Sequence, residues 1–386
     1  MDSLGAWRNE FPIVDTCTYL VSHSLGAMPQ RARRYLSQFA DEWSGRGVRA
    51  WHEGWWEIGR TTGDLLAPIL GVQPGTISMH QNVTVALAII ASCHRFDGPR
   101  NRIVMSDLEF PSNMYLFEGF RRYGADVVYV KSPDAMRTDL DALLAAIDER
   151  TALVPLSYVL FKSAYIQKIA AVIEKAHRVG ARVILDLYQA AGTVPLEVEH
   201  LGAEFAVGGS VKWLCGGPGA GYLYVRPDLA NELKPGIVGW AAHAEPFEFM
   251  TGEILYAASP ERFQSGTPNV PSIYSARAGY EIVGEIGVPA IREKSLRLTR
   301  RLMDLAKESG YRVNTPQEDD ERGGAVIIDV PEGKMVAAEL IRREVIIDYR
   351  PGAGIRMAPH FYNTVEEIEH AMAVLNEIVH QQTRRK

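Results

Sequence analysis

The sequence predicts an α/β fold: a mostly parallel sheet with helices covering both faces. Two features carry that prediction. Short, apolar, β-branched runs at 101–105, 126–130, 151–156 and 182–185 alternate with helix-like segments at 114–123, 140–148 and 170–179. Such alternation builds parallel sheets covered on both sides. The 386 residues are 47% hydrophobic and 23% charged, an ordinary globular composition with length for two domains.

Composition also narrows the functional class. A net charge of −6 argues against a nucleic-acid surface. The longest apolar run, 83–92, is interrupted by Thr84 and is too short to span a bilayer, so no membrane partner is expected. Residues 1–6 lack a basic segment followed by an apolar run, and no leader is expected. Three widely spaced cysteines, Cys17, Cys93 and Cys215, suit a reducing cytoplasm. The ten histidines show no metal-ligand spacing, and no metal is expected.

In chain order, an arm over 1–20 ends in a short strand at 17–21. Ser22-His23-Ser24-Leu25-Gly26-Ala27-Met28-Pro29 is a turn that opens a helix over 30–43. His23 reads there as a turn residue or as a substrate contact. Five of the seven tryptophans precede residue 60. Trp51 and Trp55, four apart, are expected on one helical face, as a packing or subunit-contact face or as an aromatic wall over a site. A turn at 71–75 leads to a strand at 77–80. Gln81 or Asn82 caps a helix over 85–92, whose free N–H groups suit a phosphate or belong to a plain capped helix. The strand at 101–105 runs into Ser106-Asp107-Leu108-Glu109-Phe110-Pro111-Ser112-Asn113. The loop 157–163 follows the strand at 151–156, so it is expected at the same crevice as the acid and amine described next; it also carries Lys162, a rival to that amine.

The stretch 181–225 concentrates the chemistry. A buried strand ends on Asp186. A second strand at 205–207 runs into Gly208-Gly209-Ser210-Val211-Lys212, and a third occupies 222–225 after a glycine-rich run. Ligands of open α/β sheets bind beyond the carboxyl ends of the strands, so Asp186 and Lys212 are expected to face one crevice. An acid and an amine together suit pyridoxal phosphate. The amine forms a Schiff base with the aldehyde, and the acid keeps the pyridine nitrogen protonated. A salt bridge at the end of a sheet is the other reading. The glycines precede a strand instead of opening a helix, which excludes the dinucleotide fingerprint.

Residues 275–386 read as a smaller α/β unit. Helices are expected at 275–285, 288–309 and 365–380, and strands at 325–330 and 345–349. Between them lies Gly352-Ala353-Gly354-Ile355-Arg356-Met357-Ala358-Pro359. An arginine fork suits a carboxylate, although a lone arginine also reads as a surface residue.

Asp186-Leu187-Tyr188-Gln189, Ser210-Val211-Lys212-Trp213 and the glycine run, in that order, resemble the cofactor core of the class-V aminotransferase-like enzymes of fold type I. Within that group the likeness is greatest to kynureninases and runs from about Tyr19 to Asn363. The resemblance implies a three-layer pyridoxal-phosphate-dependent transferase fold. It divides the chain into an N-terminal arm (1–60), a large cofactor domain (61–260) and a small C-terminal domain (261–386). It implies a homodimer with shared sites.

The same resemblance assigns roles. Lys212 carries the cofactor, Asp186 pairs with the ring nitrogen and Phe110 stacks on the ring. Val83, Thr84, Ser210 and Thr267 hold the phosphate, Thr267 from the partner subunit. Gln189 bonds the ring 3-oxygen, Trp240 lies over the cofactor, and Arg356 grips the substrate carboxylate, with Ser24 and His23 bordering the substrate. Four positions depart from the kynureninase pattern: Asn113 for an aspartate, Pro268 for an asparagine, Gln189 for a histidine, and Val211 for the tyrosine before the lysine. The expected function is a kynureninase-like side-chain hydrolysis or lyase reaction on an amino acid other than kynurenine. Class-V transamination is the alternative. A pyridoxal-phosphate-sensing regulator and a degenerate, non-catalytic binding protein are two further readings.

Overall fold

The computed structural model describes residues 4–258 and 260–383. Residues 1–3, part of the segment read as lacking a leader, lie outside the described residues. Two 3-10 turns lead into β1 (Thr18–Tyr19). Then follow α1 (Gln30–Arg46), α2 (Ile58–Leu70), β2 (Ile77–His80), α3 (Val83–Ser92), β3 (Arg102–Ser106), α4 (Pro111–Phe120) and β4 (Asp126–Val130). The alternation continues through α5 (Leu140–Ala146), β5 (Thr151–Ser157), α6 (Ile169–Val179), β6 (Arg182–Asp186), α7 (Val198–Leu201), β7 (Phe205–Gly209), β8 (Gly221–Val225) and α8 (Pro227–Ala230). An irregular stretch precedes α9 (Val270–Ile286) and α10 (Val288–Glu308). The chain closes with β9 (Arg312–Val313), β10 (Val326–Asp329), α11 (Gly333–Arg342), β11 (Val345–Ile346), β12 (Asp348–Arg350), β13 (Gly354–Met357) and α12 (Val365–Thr383).

The large sheet has seven strands in the order β2-β8-β7-β6-β5-β3-β4. From β7 to β4 every pairing is parallel, while β8 runs antiparallel to both its neighbours. The strands are buried on both faces because side chains alternate between two cores. On β6, Val183 and Leu185 enter one core while Ile184 enters the other. On β7, Ala206 faces the first core, and Phe205 and Val207 face the second. Residues of α2, α6 and α9 fill the first core, and those of α3 and α4 fill the second. The result is three layers.

A third core lies between α10, α11, α12 and the antiparallel sheet β12-β13-β10-β9. The N-terminal arm belongs to this region: β1 pairs in parallel with β11, and Leu20 is buried in the third core. Helix α9, which falls within the expected 261–386 unit, packs on α1 and α2 and contributes to the first core.

The helical face expected around Trp51 and Trp55 does not form. A 3-10 turn, Gly47–Trp51, gives way to turns in which Gly54 adopts φ +148°, a value that ends a helix. The two rings still meet edge to face at 5.4 Å, and Trp55 Nε1 donates to Glu42 at 2.8 Å. Among the described residues no helix is long and apolar enough to cross a membrane.

Helix α9 offers a test of how tightly these layers meet. A Cβ at Gly279 would fall 1.9 Å from the Leu214 carbonyl oxygen, whereas nothing lies within 4 Å of one at Gly284 on the same helix. Gly279→Ala is expected to destabilise the chain by about 1–3 kcal/mol through overpacking. Gly284→Ala should gain about 0.5–1 kcal/mol from helix propensity. Urea unfolding of both variants checks the contrast; equal behaviour would mean the close approach at Gly279 is not there.

Candidate active site

The parallel pairing of β6 with β7 sets Asp186 opposite Val207. Beyond Val207, β7 continues through Gly208 and Gly209, paired with β8, before the chain turns to Lys212. Both glycines are required by close approach. A Cβ at Gly208 would meet the Tyr222 hydroxyl at 2.2 Å, and one at Gly209 the Tyr188 hydroxyl at 2.5 Å. With those side chains absent, the Tyr188 ring lies 4.3 Å from Lys212 Nζ and the Phe110 ring 5.5 Å from it. Burial, reinforced by Arg356 and Arg350 and opposed by Asp186, pulls the Lys212 amine down to about 8.

Asp186 is buried. It accepts the Tyr188 N–H at 2.9 Å and the Asn113 amide at 2.8 Å. Burial raises its pKa, and those two hydrogen bonds together with Lys212 oppose the rise. Asn113 is thus the orienting partner of the acid. A carboxylate at that position would instead place two like charges in contact.

Asp186 and Lys212 line one cavity of about 200 Å³ together with Val83, Thr84, Phe110 and Gln189. Asn82 is the cap that the sequence offered as one of two: its side chain accepts Val85 N–H at 3.0 Å. Helix α3 therefore starts at Val83, two residues earlier than expected. The N–H groups of Val83 and Thr84 sit in its first turn, where no intrahelical acceptor exists. Gly221 lets β8 abut this helix start, because a Cβ there would lie 2.8 Å from Asn82 backbone. The Gln189 amide is fixed by two bonds: Nε2 donates to the His23 carbonyl at 3.1 Å, and Oε1 accepts Trp213 Nε1 at 3.0 Å.

The loop 157–163, expected at this crevice, lines it through Ser157, Val159 and Phe161, and Ser112 and Tyr188 line it as well, none of the five given an individual role from sequence. Behind Ser157 lies Glu109, also buried, which accepts both the N–H and the hydroxyl of Ser157. Burial, with the nearby Asp186 charge, pushes Glu109 up to about 8. Tyr188 was within reach of sequence reading, since it sits two residues past the strand-ending acid. Glu109 gave no such signal.

Arg356 does not line the cavity, but it donates to the carbonyl of Phe161, which does. Its Nε and Nη2 grip Asp348 at 2.8 and 2.5 Å. Asp348 and Arg356 are directly opposed residues of the β12–β13 hairpin, a cross-strand pair of opposite charge. Asp348 also takes Arg350 at 3.1 Å and His23 Nε2 at 3.1 Å. His23 and Arg356 hold its carboxyl well below the usual range despite burial. Ser24 is half-buried in the turn beside His23, with its N–H on the Val21 carbonyl, and does not reach the cavity.

Three expected cofactor contacts lie elsewhere in this chain. Ser210 is buried with its hydroxyl on the Ala220 carbonyl at 2.8 Å and the Tyr280 hydroxyl at 2.6 Å, so it is turned toward α9 and away from the cavity. Trp240 stands in an exposed aromatic group, 5.2 Å from the Trp56 ring and 5.8 Å from Phe249. Thr267 borders a separate surface hollow with Trp43, Trp51 and Trp55. Neither belongs to the cavity that holds its own chain's Lys212.

The sequence profile of the aminotransferase class-V family matches residues 18–370. The chain is 32% identical to a kynureninase of Bacillus anthracis over 98% of this chain and 92% of that one. It is 30% identical to a kynureninase of Pseudomonas fluorescens over 99% and 94%. Among solved structures, the cysteine desulfurase of Thermococcus onnurineus superposes with a TM-score of 0.86 at 21% identity, covering 97% of each chain. The cystine C–S lyase C-DES superposes with a TM-score of 0.84 at 20% identity, covering 95% of this chain and 99% of that one.

The depressed lysine has a consequence for stability. Between pH 8 and the ordinary lysine range the unfolded chain holds a proton on Lys212 that the folded, cofactor-free chain does not. Stability therefore rises with pH across that window. Relative to Lys212→Met, the cofactor-free protein should gain about 1–2 kcal/mol between about pH 7.5 and about pH 9.5. Chemical unfolding of both proteins at the two pH values measures it. A constant difference would mean that Lys212 titrates normally.

Proposed function

The chain belongs to the class-V aminotransferase family and has its three-layer, fold-type-I architecture, and on that premise we propose that it is a pyridoxal-phosphate-dependent enzyme acting on an α-amino acid. The observation that carries this reading is the meeting of Lys212 and Asp186 in one cavity beside the first turn of α3. The residues present fit the cofactor. Lys212 is the amine for its aldehyde. Asp186, oriented by Asn113 and the Tyr188 N–H, is the acid for its ring nitrogen. Val83 and Thr84 N–H groups, with the Thr84 hydroxyl, suit its phosphate, and Phe110 and Gln189 border its ring. When bound, the cofactor supplies an electron sink for charge developing at the substrate α-carbon.

The chain's own residues supply the rest. Lys212 Nζ, held near neutrality in buried surroundings, is the group placed to take and return the α-proton. Arg356 has five N–H donors; Asp348 and the Phe161 carbonyl take three, leaving two without an acceptor among the described residues. A substrate carboxylate satisfies that pair. Likeness to kynureninases across nearly the whole chain favours hydrolytic or eliminative cleavage of the substrate side chain. Val211 puts no phenol at the position preceding the lysine in sequence, a departure that favours a substrate other than kynurenine. Transamination is the second reading, favoured by Gln189, which stands in the ordinary class-V pattern.

The test is the visible absorption of the cofactor-loaded protein during mixing with a panel of amino acids, kynurenine included. The native protein should show a cofactor band that Lys212→Ala lacks or displaces, with turnover falling by at least about a thousandfold. A band that survives Lys212→Ala unchanged would overturn the assignment. Permanent bleaching with accumulation of pyridoxamine phosphate identifies transamination. Bleaching and recovery with release of a shortened amino acid or a keto acid identifies side-chain cleavage.

A further inference from the structure

Tyr188 lines the cavity, yet the roles assigned above leave its side chain without a task. Its hydroxyl makes no hydrogen bond among the described residues. Burial, with the nearby Asp186 charge, pushes the phenol up to about 12, so it stays neutral. The residue is nevertheless held at both ends. Its backbone N–H is on Asp186 at 2.9 Å, and its hydroxyl seats against Gly209, where a Cβ would come within 2.5 Å of it. The side chain thus crosses from the end of β6 to the end of β7. Lys212 Nζ lies over two aromatic faces, 4.3 Å from the centre of the Tyr188 ring and 5.5 Å from the centre of the Phe110 ring. Those two rings form no ring pair with each other among the described residues. Phe110 is steadied instead by Phe161, edge-on at 5.3 Å, and is left 41% exposed, which is uncommon for an aromatic with a packing role alone.

We propose that Tyr188 is a cofactor-holding residue: its ring covers the face of the pyridine opposite Phe110, so that the cofactor lies between two aromatic side chains. The proposal rests on the cofactor reading above and adds a second wall to it. A Schiff base on Nζ is conjugated with the pyridine ring and shares its plane, so rings that cover this nitrogen also cover that plane. Aromatic faces favour such offset stacking. A ring whose nitrogen is kept protonated by Asp186 is electron-poor, and the face of a neutral phenol attracts it. Asp186 serves both contacts, since it also accepts the Tyr188 N–H. Gly209 is the small residue that admits the phenol to this place.

Pyridoxamine phosphate shares the cofactor's ring and phosphate but has no aldehyde, so its binding reports the walls of the site without the bond to Lys212. Fluorescence titration of the full chain, freed of cofactor, should show Tyr188→Ala and Tyr188→Leu binding this probe about ten- to a hundredfold more weakly than the native protein. Tyr188→Phe, which keeps the ring, should stay within about threefold. After loading with pyridoxal phosphate, the visible band should shift in Tyr188→Leu and hold its position in Tyr188→Phe. Tyr188→Leu keeps apolar bulk, so the contrast between Leu and Phe reads the aromatic face and not the filling of space. The proposal is overturned if Tyr188→Leu binds the probe as tightly as the native protein. It is equally overturned if Tyr188→Phe loses as much affinity as Tyr188→Leu, because the hydroxyl and not the ring would then be the contact. Failure of the cofactor reading itself shows differently: the native protein would lack a Lys212-dependent band.

Discussion

Everything in this molecule that bears on chemistry depends on the parallel pairing of β6 with β7. That register carries Asp186 and the chain leading to Lys212 out of the same end of the sheet. Each strand is held there by burial on both faces, with alternate side chains committed to two separate cores. A slip of one residue would exchange those cores and turn Asp186 away. The two glycines after Val207 are part of the same constraint, since they leave room for the Tyr222 and Tyr188 hydroxyls. Tyr188 then lies against Lys212 because β6 and β7 are neighbouring strands, not because the two residues are close in sequence.

The second organising feature is how the site holds charge away from water. Asp186 has two hydrogen-bond donors, and Asp348 has two arginines and a histidine. Buried carboxylates persist as anions only with partners of this kind. Glu109 has hydroxyl and amide partners but, among the described residues, no cation, and burial keeps its proton on into the neutral range. Lys212 is the converse: among the described residues its ammonium faces aromatic rings, and burial favours the neutral amine. The differences in protonation thus come from which partners the fold brings to each group.

The parts legible in the sequence are those governed by local rules. Strand runs end in loops that carry the chemistry, Asn82 caps α3, and Asp186 and Lys212 each follow a strand, whereas Phe110 and Gln189 were legible through the family resemblance alone. Positions that depend on where a side chain turns were less legible. Ser210, adjacent to the loop that carries Lys212, is turned inward to Tyr280. Trp240 and Thr267 lie in segments whose place is set by long-range packing with Trp56 and with α1. The Trp51 region looked helical by spacing, yet Gly54 breaks the helix.

By itself the sequence determined the covered α/β sheet and the strand ends from which Asp186 and Lys212 emerge, because hydrophobic period and turn residues act over a few positions; it was the resemblance to class-V enzymes that read these two as acid and amine in place of a salt bridge. Only the tertiary structure decided that Asp348 faces Arg356 across a hairpin, that His23 reaches the same carboxylate from the other end of the chain, and that Asn113 orients Asp186. Those pairings join residues 8, 325 and 73 positions apart. Their geometry follows from register and burial, which no local pattern encodes.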